Sequence, residues 1–147
     1  SFSHLNELIR MRLFEEIAKS DISLFIFTLV YALDIEEDRK YVADICSIFE
    51  EKDWKVHFVE LEAELQERIR RNHTEFRLSQ KASKRDTESS HKRLIASEQS
   101  SHQFNSSDNF CYPQQHLKIH NTHISPEEAA DRIVKHFNIP VYDNETN

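Results

Sequence analysis

Residues 22–28, ISLFIFT, decide how the rest of the chain is read. The run is apolar apart from two hydroxyls and rich in β-branched and aromatic side chains. That is the composition of a strand covered on both faces, as parallel sheets require. Before it, Leu5, Leu8, Ile9, Leu13, Phe14 and Ile17 recur at helical spacing. Residues 3–19 are therefore predicted to form an amphipathic helix that buries this stripe. After it, Asp34 followed three residues on by Glu37 has the form of a capping box. It opens a predicted helix whose buried face is Tyr41, Val42, Ile45, Ile48 and Phe49. Residues 55–61, KVHFVEL, read as a second strand and residues 62–71 as a helix. Trp54, Phe58 and Phe49 are assigned to the core.

The C-terminal part is read the same way. His116–His120, HLKIH, is a third short strand. Ser125-Pro126-Glu127-Glu128 is a strong helix start, with Ser as cap, Pro at the first helical position and acids in the first turn. Pro140 stops that helix, and residues 141–147 read as a frayed tail. Between residues 87 and 115 Ser, Gln, His and Asn dominate, which predicts a helix over residues 88–98 and then a mobile loop. Strands alternating with helices imply an α/β fold with a parallel sheet. Ligands of such sheets sit at the carboxyl ends of the strands, here residues 28–34, 61–64 and 121–122.

The charge is unevenly spread. From Arg68 to Arg93 there are nine Lys or Arg against three Asp or Glu, in a chain whose net charge is −7. A basic island in an acidic protein points to one anion site, most simply a phosphate site, rather than a nucleic-acid coat. No aromatics are interleaved at the spacing a single-strand binder uses, so nucleic acid is not an expected partner. No apolar run approaches the ~20 residues of a membrane span, and no signal peptide is read. Cys46 and Cys111 lack metal-ligand spacing and are read as reduced thiols of a cytoplasmic protein, with a disulfide as the alternative. The chain opens at Ser1 rather than Met, so its coding sequence is expected to begin upstream. It contains no glycine and no GxxxxGK[ST] phosphate loop.

Several side chains carry competing readings. Asp34 could meet a substrate or a metal-bound water at a strand end, or simply cap a helix. Glu60 and Glu62 flank a strand end and could act as acid or base, though exposed strand-end carboxylates are the commoner case. His116, His120 and His123 are the densest histidine group, but their spacing is weak for zinc and no metal site is assigned. Arg70 points off the Arg68/Arg71 face at helical spacing and is set aside.

The segments IFTLVYALD, FVELEAELQERIRRN, RLSQKASKRD and IHNTHISPEEAADRI, in this order, resemble the C-terminal two-thirds of a bacterial P-loop NTPase family. That family is described as AAA-family ATPases or shikimate-kinase-like proteins. The resemblance runs from about Ser1 to Phe137, and the N-x4-RL-x2-K-x-SKRD pattern is its most specific part. It implies a three-layer P-loop-kinase-like fold, incomplete at the N-terminus, over residues 1–140, with a lid and mobile polar insertion at residues 68–115. By position Arg68, Arg71, Arg77, Lys81, Lys84 and Arg85 match the lid that closes on nucleotide phosphates, with Arg71 and Arg77 in the catalytic roles. Arginine suits this because its planar fork grips two phosphate oxygens and stays charged. Asn121 and Thr122 match the segment near the adenine; Asp34, from its place at a strand end and not from the resemblance, is the substrate-contact candidate. ATP and Mg²⁺ are implied for the complete protein, with an unidentified small-molecule acceptor. The chain departs from the pattern at His120, where Asp is common, and at Ala82, where Pro is common. The implied function is small-molecule phosphorylation by the complete protein. The alternative is a non-catalytic relative that keeps the anion site as a binding or regulatory domain.

Overall fold

The computed structural model describes residues 2–80 and 86–141, without the side chains of residues 2, 3, 76, 77 and 80. The elements are α1 (Phe2–Ala18), α2 (Glu36–Glu50), β1 (Phe58–Glu62), α3 (Leu65–Asn72), α4 (Glu75–Gln80), α5 (Thr87–Gln99), a 3-10 turn at Pro113–Gln115, β2 (His116–His120) and α6 (Pro126–Phe137). They fall into two compact units, Ser1–Phe58 with His102–Gln115, and Val59–Ser101 with His116–Asn147. The polar stretch predicted as one insertion is thus divided, its last part returning to the first unit.

The first unit is held by aromatics. Phe14 is 1% exposed and packs with Ala18 and Phe49 as the buried centre, ringed by Met11, Ile17, Phe25, Phe27, Ile45, Ile48, Trp54 and Val56. Phe27 meets Phe14 edge-on at 4.9 Å between ring centres, and Trp54 meets Phe49 edge-on at 5.4 Å, geometries that the ring quadrupoles favour. The Trp54 indole N–H donates to the Ala18 carbonyl at 3.0 Å, satisfying its polar atom at the end of α1. The assignment of Phe49, Trp54 and Phe58 to packing agrees with this. Phe58 stacks on Tyr112 at 4.7 Å and meets Phe110 at 5.2 Å, which ties in the returning segment.

Three expectations change in this unit. Residues 22–28 do not form a strand, and residues 23–31 make no backbone hydrogen bond to any other described residue. Phe25 and Phe27 pack inward while Leu24, Ile26 and Thr28 face out, so the two-residue alternation is present without a pairing partner. In α1 the stripe read as buried is mostly exposed: Leu5, Leu8, Ile9 and Leu13 stand outside, and Phe14 and Ala18 are buried. The helix is apolar on opposite faces, and α2 and the aromatic cluster cover one of them. Finally, α2 begins at Glu36, two residues beyond Asp34. Ile35 is its cap residue and gives no side-chain cap. Asp34 is engaged elsewhere, accepting from the Gln103 backbone N–H at 2.8 Å and lying 3.0 Å from His102 Nδ1.

The second unit contains a two-stranded parallel sheet of β1 and β2. A sheet of two strands does not show a three-layer P-loop fold. The expected second strand is shortened, since residues 55–57 lie outside β1. β2 forms where HLKIH predicts it, and α6 starts as its sequence dictates. Ser125 Oγ accepts from the Glu128 N–H at 3.1 Å, Pro126 follows, and Asn138 ends the helix with φ 51°. In a chain without glycine the left-handed positions among the described residues go to Asp53, Asp108 and Asn138, of the types that tolerate them best. Between α3 and α5 the buried Asn72 accepts from Ser90 Oγ at 2.9 Å. Among the described residues no helix is long and apolar enough to cross a membrane.

Candidate functional site

The parallel pairing of β1 and β2 brings their carboxyl ends together, and the Asn121 N–H donates to the Glu62 carbonyl at 2.8 Å. The turn after β2 is thereby set against the start of α3. There the Glu64 N–H donates to Thr122 Oγ1 at 3.0 Å, and Arg71 reaches across from α3. All three guanidinium nitrogens of Arg71 donate. Nε bonds Glu67 at 2.6 Å, one terminal nitrogen bonds Asn121 Oδ1 at 3.1 Å, and the other bonds the carbonyls of Asn121 at 2.5 Å and Thr122 at 3.3 Å. Arg71, Asn121 and Thr122, fifty residues apart in sequence, are one cluster.

Glu67 is shared with Arg70, which donates to both its oxygens at 2.7 Å. Its carboxyl is held down to about 2, first by the Arg70 hydrogen bond and then by Arg71, against the upward pull of burial. Arg68 lies apart and pairs with Glu98 of α5. Arg77 lies on α4 with its side chain outside the described residues, and Lys81, Lys84 and Arg85 lie outside them altogether. Asp34 belongs to the first unit, where His102 and then the Gln103 N–H lower its carboxyl below the usual value.

Beside the arginine cluster is an open cavity of about 790 Å³. Leu61, Ile124, Pro126, Ala129, Ala130 and Ile133 give it an apolar wall. Arg70 and Arg71 with the carboxylate of Glu67, and Thr74, Asn121, Thr122, His123 and Ser125, give it a polar edge. The N-terminus of α6 borders that edge, where it is already capped by Ser125 and carries Glu127 and Glu128 in its first turn. A cavity lined by apolar side chains and by polar groups that include two guanidinium groups can take a hydrogen-bonding ring that carries negative charge on one side. Sequence reading missed Arg70 and the whole apolar wall. Arg70 could have been found only by asking what else lies on the Glu67 side of α3.

The strand carboxylates have partners of their own. Glu60 sits 3.0 Å from His116 and 3.5 Å from Lys118, while Glu62 sits 3.0 Å from Lys118 and 2.8 Å from His120. Burial works against the charge of Lys118, but hydrogen bonds and attraction from Glu62 and Glu60 outweigh it and raise its pKa. This cross-strand ladder joins the sheet and leaves Glu60 and Glu62 engaged rather than standing free. Among the described residues no group of three or more His, Cys, Asp or Glu side chains could hold a metal ion. No protein-family model, curated protein or solved structure matches the chain.

Proposed function

We propose that the second unit binds the base and ribose of a nucleotide in the cavity between α3 and the turn into α6, as part of a P-loop NTPase or small-molecule kinase. One observation carries the reading. The arginine and the Asn-Thr pair that the family resemblance marks as nucleotide contacts meet on one cavity, and the cavity has the mixed apolar and cationic lining a purine nucleotide needs. The base lies against Ile124, Pro126 and Ala130. The phosphates extend toward Arg70, while Lys81, Lys84, Arg85 and the side chain of Arg77 lie outside the described residues. Phosphoryl transfer further needs Mg²⁺ and a phosphate-cradling loop, which the complete protein supplies in this reading.

A second reading is nucleotide binding without chemistry, and the engagement of Arg71 favours it. Every nitrogen of that guanidinium already donates within the protein, so a role on the transferring phosphate requires the clamp to open. Arg71 then serves to fix Asn121 and Thr122, and Arg70, paired with both oxygens of Glu67, reaches a phosphate only by sharing or leaving that carboxylate.

Isothermal titration of the chain with ATP tests the site. The wild-type chain binds, and Ala130→Trp, which fills the cavity from an exposed position, weakens binding at least tenfold with an unchanged far-UV spectrum. Equal affinity in the two proteins would remove the cavity from the account. ATP turnover measured on the complete protein separates the catalytic from the non-catalytic reading.

A further inference from the structure

We infer that the nucleotide this cavity takes, on the reading above, is a 6-oxopurine nucleotide, whose base carries a carbonyl where adenine carries an amino group. The pattern of hydrogen bonds along the polar edge supports it. The acceptors of the turn after β2 are already engaged. Asn121 Oδ1 and the carbonyls of Asn121 and Thr122 accept from Arg71. Thr122 Oγ1 accepts from the Glu64 N–H, Ser125 Oγ from the Glu128 N–H, and the Ser125 carbonyl from the Ala129 N–H. Glu67 takes three hydrogen bonds from Arg70 and Arg71.

The donors of the same edge are open. A guanidinium has no acceptor, so the Asn121 amide turns its oxygen to Arg71 and leaves its nitrogen, with two hydrogens, for a ligand. That nitrogen and the hydroxyl hydrogens of Thr122 and Ser125 go to no group among the described residues. His123, exposed at the rim, accepts only when its ring is neutral. A ligand that fits this edge therefore brings acceptors. A 6-oxopurine presents two adjacent ones, O6 and N7, whereas adenine presents N7 beside its N6 amino group, which is a donor. A donor set against a donor leaves both unpaired, and a group left unpaired on leaving water loses more than a made bond gains. The oxo base gives each open donor a partner while its rings lie against Ile124, Pro126 and Ala130.

Isothermal titration of the wild-type chain with inosine triphosphate and with ATP, side by side, tests this, because the two share ribose, triphosphate and ring shape and differ in the base edge. The expected result is tighter binding of inosine triphosphate, by about fivefold or more. Asn121→Asp keeps an oxygen for Arg71 and replaces the amide donor with an acceptor. Both affinities then fall with the added negative charge, and the preference between the two nucleotides vanishes or reverses. Equal or tighter binding of ATP by the wild type overturns the inference and leaves the nucleotide reading standing. A preference that survives Asn121→Asp overturns it as well, since the base is then read elsewhere. Binding of neither nucleotide at millimolar concentration overturns the nucleotide reading itself, and the choice of base with it.

Discussion

Glu67 takes three hydrogen bonds from Arg70 and Arg71, and Arg71 in turn holds the backbone of the turn after β2. The pH consequence follows from the direction of the shift. The folded form keeps Glu67 ionised down to about 2, whereas the unfolded chain protonates it near ~4.3. Its contribution is therefore complete above the unfolded value and is lost as pH falls from about 4.5 toward 2. Urea midpoints measured across that window should fall, and Glu67→Gln should flatten the fall while lowering the midpoint at pH 7. An unchanged acid limb in the variant would show that the cluster does not couple to folding. At this scale the sequence was partly legible. Arg71, Asn121 and Thr122 could be marked by charge and position. Arg70 and the wall of Ile124, Pro126, Ala129, Ala130 and Ile133 could not, because only the pairing of β1 with β2 brings residues so far apart in the chain to one place.

Elements formed where their signals were local. The start of α6 is written in Ser125 and Pro126, and the helix begins there with the expected bond from Ser125 Oγ to the Glu128 N–H. Ser125→Ala should cost about 1 kcal/mol of unfolding free energy, read from the urea midpoint of the second unit, with Ser125→Asp near neutral. A loss below a few tenths would mean that Pro126 and the first-turn acids suffice. Signals that need a distant partner misled. Residues 22–28 have strand composition and strand alternation, but β-propensity describes a fit to neighbouring strands and cannot supply one. In α1 the apolar spacing was read correctly as helical, yet spacing does not say which of two apolar faces finds a neighbour. Asp34 carries a cap-like sequence, and the Gln103 N–H and His102 claimed its carboxylate from across the first unit.

For the molecule as a whole, two of the three expected strands formed, and the division into two units was not legible. The first unit is discontinuous, and its return through Phe104, Phe110 and Tyr112 is too sparse in apolar residues to announce itself. The basic island of residues 68–93 was visible from charge alone, and its N-terminal end lies at the cavity of the second unit. The most direct test is a titration of the isotopically labelled chain with ATP, followed by amide chemical shifts. The expected result is saturable shifts at Leu61, Arg70, Thr122, Ile124 and Ala130, with the first-unit residues Phe14, Phe49 and Trp54 unmoved. Shifts absent from those cavity residues at millimolar ATP, or confined to the first unit, would contradict the account.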